Sequence, residues 1–174
     1  MRMRYVIISA IAIFILIIFA ISLNRDSTYS TEKLIGKKIE NFNSKDFYTK
    51  EIRDSKILKT KDFSLINYWA SWCAPCRVEH SELMQLSKKE NLNIIGINFK
   101  DKKNEAEQFL NELGNPYDHL LIDQDGRFSI NLGVYGIPET FIINKKGQII
   151  YKYTGPLDIH ELEKNIYGLI KNER

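Results

Sequence analysis

Phe63-Ser64-Leu65-Ile66-Asn67-Tyr68-Trp69-Ala70-Ser71-Trp72-Cys73-Ala74-Pro75-Cys76-Arg77-Val78-Glu79 carries the chain from one kind of structure into another. Its first seven residues are a mostly apolar, aromatic run of strand length, which predicts a buried central strand. Cys76, Glu79, Leu83 and Leu86 then recur at helical spacing, and the helix is expected to run to about Lys89. The two cysteines therefore fall where a strand gives way to a helix. Unpaired amide donors and the helix dipole at such an N-terminus stabilise an anion, so a thiol placed there becomes more acidic. At an ordinary pKa of about 8.5, only about 3% of a thiol is thiolate at neutral pH; a pKa of about 7 raises that to about half. Cys73, the outer and earlier residue, is the expected nucleophile, and Cys76, one turn into the helix, the resolving thiol. Pro75 suits an early helical position, where its missing N–H costs nothing.

Downstream, Leu92 to Phe99 is a second apolar strand interrupted by Gly96. Ala106, Phe109, Leu110 and Leu113 make a helix face, stopped by Gly114 and Pro116. His119 to Ile122 is a short strand ending at the Asp123-Gln124-Asp125-Gly126 turn. Thr140–Ile143 and Ile149–Tyr153 flank Asn144-Lys145-Lys146-Gly147 and predict a hairpin. Asp158 and Glu161 have the spacing of a capping box, followed by Ile159, Leu162, Ile166 and Leu169 as the apolar face of a last helix. Strands alternating with helices, then a hairpin and a helix, describe an α/β fold with a mixed central sheet flanked by helices.

Upstream, Tyr5 to Leu23 is nineteen residues without a charge. As a helix it is about 28 Å long, close to the hydrocarbon thickness of a bilayer. Arg2 and Arg4 precede it, while Arg25 is followed by Asp26. That bias favours an N-terminus in the cytoplasm and the rest outside. A cleaved signal peptide is the competing reading, but Phe19-Ala20-Ile21-Ser22-Leu23 lacks a clean small-x-small cleavage site. Residues 1–24 are thus expected to be a membrane anchor, 25–36 a polar linker, and 37–174 the folded domain. Under either reading the domain is exported.

Residues 1–25 hold three of the 25 basic residues and no acid, which leaves 22 basic against 22 acidic residues in the remainder. Nothing in that balance asks for nucleic acid. Two cysteines three apart close too small a loop to stabilise a fold much, so their value is chemical. Half of a zinc site is the bland alternative, but there is no third Cys, and His80, His119 and His160 show no paired ligand spacing. Copper held by the Cys pair would leave Trp72 and Pro75 unexplained. No cofactor is expected.

Two further features bear on the chemistry. Glu79 shares the stripe of Cys76, Leu83 and Leu86, so it is either a partly buried carboxylate with a raised pKa, able to carry the proton of Cys76, or a surface Glu covering apolar area. His80, beside the stripe, reads as an ordinary packed or exposed polar residue. Gly133-Val134-Tyr135-Gly136-Ile137-Pro138-Glu139-Thr140 is either a simple turn or a shaped loop in which Pro138 takes a cis bond before a strand.

With these residues in view, positions 37–171 resemble the thioredoxin-like proteins of cytochrome c maturation, the DsbE/CcmG family. The resemblance is carried by Asn67 to Glu79, by Gly96-Ile97-Asn98-Phe99-Lys100-Asp101 and by Gly133 to Phe141, Gly136-Ile137-Pro138-Glu139-Thr140 being the most specific part. It implies a thioredoxin-like fold and a periplasmic, membrane-anchored reductant that keeps the haem-site cysteines of apocytochrome c reduced, directly or through another maturation factor. It implies a membrane thiol transporter of the DsbD or CcdA kind as electron donor. It also implies a cis-proline at Pro138 beside the active site, with Glu79 and Glu139 at acidic positions around it. Asn67 stands where ordinary thioredoxins carry a buried Asp; an Asn cannot relay a proton, which favours Glu79 in that role. Lys37 to Asp62 matches only loosely. A general exported reductase of the same fold and a copper chaperone are the alternatives, and the Ala74-Pro75 pair does not fix the direction of exchange.

Overall fold

The computed structural model describes residues 2–23 and 34–172, which belong to two separate units. The first is a helix, α1 (Arg2–Leu23), apolar on every side and exposed along its length. Its 22 residues are long and apolar enough to cross a membrane. Of the expected linker, 25–36, all but Leu34 to Gly36 lies outside the described residues.

The second unit is a seven-stranded sheet with helices on both faces. Its strands are β1 (Asn43–Asp46), β2 (Ile52–Asp54), β3 (Phe63–Trp69), β4 (Leu92–Phe99), β5 (His119–Asp123), β6 (Glu139–Asn144) and β7 (Ile149–Thr154), in the order β2-β1-β5-β4-β3-β6-β7. β3, β4 and β5 run parallel, and the outer pairs are antiparallel. Helices α2 (Ala74–Leu86) and α3 (Lys103–Leu113) provide the crossovers that parallel neighbours need. All seven residues of β3 are buried, as expected of a strand covered on both faces.

The two faces are read directly from β3. Leu65 and Trp69 join Leu83 and Leu86 of α2, Phe109 of α3 and the C-terminal helices in one core cluster. Ile66 and Tyr68 point the other way, to Phe128 of the short helix α4 (Arg127–Asn131) and to Ile57 and Leu58 of a 3-10 turn before β3. The chain ends in α5 (Ile159–Glu161), a π-type turn Leu162–Ile166 and α6 (Tyr167–Asn172). That wider turn carries the inward face on to Ile170 rather than the expected Leu169, while Ile159 is left exposed. Half of the expected capping box forms: the Glu161 N–H donates to Asp158 Oδ1 at 2.7 Å. The Glu161 carboxylate accepts instead from the Tyr151 hydroxyl and from Asn165.

Gly96 is a structural requirement rather than a weak point in β4. A Cβ there would lie 2.7–2.8 Å from the ring of Tyr117, inside any tolerable carbon contact. Its absence lets that ring cross β4 at the position that pairs with Asn67 of β3.

Candidate active site

Cys73 and Cys76 lie at the C-terminal end of β3 and form a disulfide. Cys73 is the N-cap of α2, and its Sγ accepts from the Cys76 N–H at 3.2 Å, with Pro75 in the first turn. The N-terminus of α2 thus meets the Cys73 sulfur through a specific N–H donor as well as through its dipole. Cys73 is 4% exposed and Cys76 1%, so what access the pair has belongs to the earlier residue.

The segment entering the pair is pinned from the side. Asp101 is buried and accepts from the Ser71 N–H (2.6 Å) and hydroxyl (2.7 Å), from Asn98 Nδ2 (2.9 Å) and from the Lys102 N–H (2.8 Å). Trp72 is 56% exposed, yet its indole N–H donates to the Lys100 carbonyl at 3.2 Å. Lys100 is one of two non-glycine residues in the left-handed region among the described residues, at φ 43°. The turn after β4 therefore supplies the shoulder against which Ser71 and Trp72 rest.

Glu79 faces inward, one helical turn beyond Cys76, with no exposed surface. Its Oε1 accepts from Asn67 Nδ2 at 2.8 Å and its Oε2 from the Leu157 N–H at 2.9 Å. Burial pushes its pKa up from the ordinary 4.5 to about 7, against the lowering effect of those two donors. Asn67 is itself saturated: its second amide hydrogen goes to Thr140 Oγ1 at 3.2 Å, and its Oδ1 accepts from the Tyr117 hydroxyl at 3.0 Å. Tyr117 also stacks on Trp69, ring centroids 5.6 Å apart. A continuous buried polar chain thus runs from Tyr117 through Asn67 to Glu79. His80 is a packed residue, bonded to the Gly114 carbonyl at 2.9 Å and set edge-on to Phe109.

The Ile137–Pro138 peptide is cis. Tyr68 pairs with Glu139 across β3 and β6, which sets Pro138 level with Trp69 and so beside the start of the cysteine turn. Glu139 is fully buried and serves the loop before it: Oε1 accepts from the N–H groups of Tyr135 (2.8 Å) and Gly136 (3.2 Å). Its other oxygen makes a 2.9 Å ion pair with Lys152 of β7, which also donates to the Gly133 carbonyl at 2.8 Å. Pro138 precedes β6 at the cysteine end of the sheet, while Glu139, opposite Tyr68, spends its charge on holding the loop. Asp101, Tyr117 and Lys152 are the residues that sequence reasoning passed over.

The chemistry available is dithiol–disulfide exchange at Cys73 and Cys76, with the buried Glu79 carboxyl one helical turn beyond Cys76. Comparison with known proteins agrees. The Redoxin family profile matches residues 34–170. The thiol:disulfide interchange protein DsbE of Yersinia pestis is 37% identical over 175 aligned positions, covering 92% of this chain and 89% of that one. The thiol:disulfide interchange protein CycY of Rhizobium leguminosarum bv. viciae is 50% identical over 93 residues, which span 53% of this chain and half of that protein. Among solved structures, that of a DsbE-like protein from Chlorobium tepidum superposes with a TM-score of 0.63 at 23% identity, covering 78% of this chain and 97% of that one, a likeness of fold.

Proposed function

Because the chain belongs to the Redoxin family and to its DsbE-type thiol:disulfide interchange proteins, we propose that it is a membrane-anchored reductant that keeps the haem-site cysteines of apocytochrome c in the thiol form on the periplasmic side. The observation that carries the reading is Glu79, a carboxyl with a pKa of about 7 placed one turn beyond Cys76. The Gly136-to-Thr140 segment supports the cytochrome branch, and α1, long and apolar enough for a span, supports the anchor.

The Cys73 thiolate attacks one sulfur of the partner disulfide and releases the other as a thiolate, leaving a mixed disulfide. Cys76 then gives its proton to ionised Glu79 and attacks Cys73 Sγ. The Cys73–Cys76 bond forms, and the second partner sulfur leaves as a thiolate that is protonated. The partner gains two electrons and the protein loses them; an external dithiol, supplied through a membrane thiol transporter of the DsbD or CcdA kind, restores the reduced state. A pKa of about 7 suits the exchange of a proton in both directions at neutral pH.

The test joins two measurements on the full chain: the reduction potential against glutathione, and the proteins captured as mixed disulfides by Cys76→Ser. A low potential with apocytochrome c or a maturation thiol protein in the trap supports the reading. A strongly oxidising potential overturns the direction, and a trap filled with many unrelated proteins replaces the dedicated role with a general exported reductase.

A further inference from the structure

The oxygen and the NH2 group of a side-chain amide have nearly the same shape, and hydrogen bonding decides which way round it sits. Asn67 meets Tyr117 on one side and Glu79 and Thr140 on the other. Thr140 does not choose between the two orientations, because a hydroxyl accepts from an N–H or, by turning, donates to an oxygen. Glu79 and Tyr117 do choose. An ionised Glu79 has only acceptors, so it must be met by the NH2 group; a turned amide would set oxygen against oxygen and suit only the protonated acid. On the far side the Tyr117 hydroxyl donates to Asn67 Oδ1 at 3.0 Å. With the amide turned, that buried hydroxyl proton would lose its acceptor.

Tyr117 is held firmly in this place. Gly96, which pairs with Asn67 across β3 and β4, leaves room for the ring where a Cβ would strike it. Trp69 stacks on the ring, and the Tyr117 N–H donates to Asn115 Oδ1 at 3.1 Å. Burial, and then the charge of Glu79, keep the hydroxyl protonated well above the usual tyrosine range, so it remains a donor throughout the neutral range. The other group on the Glu79 carboxyl is the Leu157 N–H, a backbone donor ahead of α5. On α2 itself, His80 is bonded to the Gly114 carbonyl. Tyr117 is thus the titratable group that the buried polar chain brings to Glu79.

We propose that Tyr117 is a positioning residue for thiol–disulfide exchange: by occupying Asn67 Oδ1 it commits the amide NH2 group to Glu79 and favours the carboxylate that takes the Cys76 proton. The proposal rests on the reading of Glu79 as that proton acceptor. Tyr117 acts through Asn67.

The experiment uses the full chain, reduced, in detergent micelles. The Glu79 carboxyl is titrated by its infrared C=O band, identified by its loss in Glu79→Gln. Resolution is timed in parallel with an aromatic disulfide, dithiobis-nitrobenzoate: the first thionitrobenzoate leaves on attack by Cys73, the second on attack by Cys76. Tyr117→Phe should raise both midpoints by about one pH unit, which slows the second release about fivefold at pH 7. In an Asn67→Ala background the same substitution should shift neither midpoint. Leu110→Val, a truncation in the same core but outside the polar chain, should also shift neither. An unmoved carboxyl midpoint in Tyr117→Phe, or a shift that persists without Asn67, overturns the positioning role alone. A carboxyl midpoint that moves without the second release overturns Glu79 as the acceptor of the Cys76 proton, and the positioning role with it. The unsubstituted protein gives a reading that needs no variant: the Asn67 side-chain nitrogen should show one resonance on both sides of the Glu79 midpoint. A second resonance, from a turned amide, overturns the proposal.

Discussion

Asn67 Nδ2 donates to Glu79 Oε1 at 2.8 Å, so the carboxyl one turn beyond Cys76 is held by an amide that cannot titrate. Asn67 stabilises the carboxylate without competing for its proton, and with all its hydrogen-bonding groups engaged it keeps the carboxyl in one place.

Glu79 should leave a signature on stability. Its folded pKa is raised from 4.5 to about 7, so folding favours the protonated form. The contribution is full below about pH 4.5, is lost as pH rises to about 7, and totals on the order of 3 kcal/mol. Urea midpoints of the oxidised protein should fall across that window. Glu79→Gln should remove the slope and, in the reduced protein, the inflection near pH 7 in release of the mixed disulfide. An unchanged release profile would confine Glu79 to a structural role.

Tyr117 and Gly96 support that carboxyl from across the sheet. Gly96→Ala should cost about 1–3 kcal/mol, since its Cβ overlaps the Tyr117 ring. Tyr117→Phe should cost about 1–2 kcal/mol by removing a buried donor from Asn67 Oδ1. Denaturant titration reads both; a neutral Gly96→Ala would mean the ring has an alternative place to lie.

Lys152 and Glu139 form an ion pair with neither side chain exposed. Lys152→Met alone should destabilise by about 3–5 kcal/mol, because it strands a buried carboxylate. The Lys152→Met, Glu139→Gln double variant should recover part of that loss, giving a favourable coupling term in a double-mutant cycle. Additive losses would contradict a direct pairing.

Asp101 acts on the cysteines through Ser71. Asp101→Asn should cost about 2 kcal/mol and speed hydrogen exchange at the Ser71 amide. Because Ser71 leads directly into Trp72 and Cys73, the pH profile of Cys73 alkylation should move as well. A stability loss with an unmoved alkylation profile would restrict Asp101 to folding.

The β3–α2 junction was legible because the apolar pattern changes period within a few residues, and because Cys73 and Pro75 obey local cap chemistry. The hairpin was legible from Asn144 to Gly147 for the same reason: its turn is written in adjacent residues, Gly147 taking a φ of 80°. β1 and β2 were not, being three or four mostly polar residues at a sheet edge. α4 is held by Asp123, whose carboxylate receives the Phe128 and Ser129 N–H groups from five and six residues away. Tyr117 finds Asn67 across fifty residues, and no spacing rule reaches that far. Lys152 misleads in another way, since a lysine in a strand reads as a solvent-facing position.

The two tryptophans differ in surroundings as much as any pair in the chain. Trp69 is sealed against Tyr117 and Phe109 at 1% exposure, while Trp72 stands half in water beside the sulfur pair. An aqueous collisional quencher will therefore darken one indole and spare the other. Light emitted at the red edge belongs to Trp72, whose neighbour is a disulfide in one state and two thiols in the other. The emission of that one indole should therefore differ between the two states, a gauge of oxidation that needs no label.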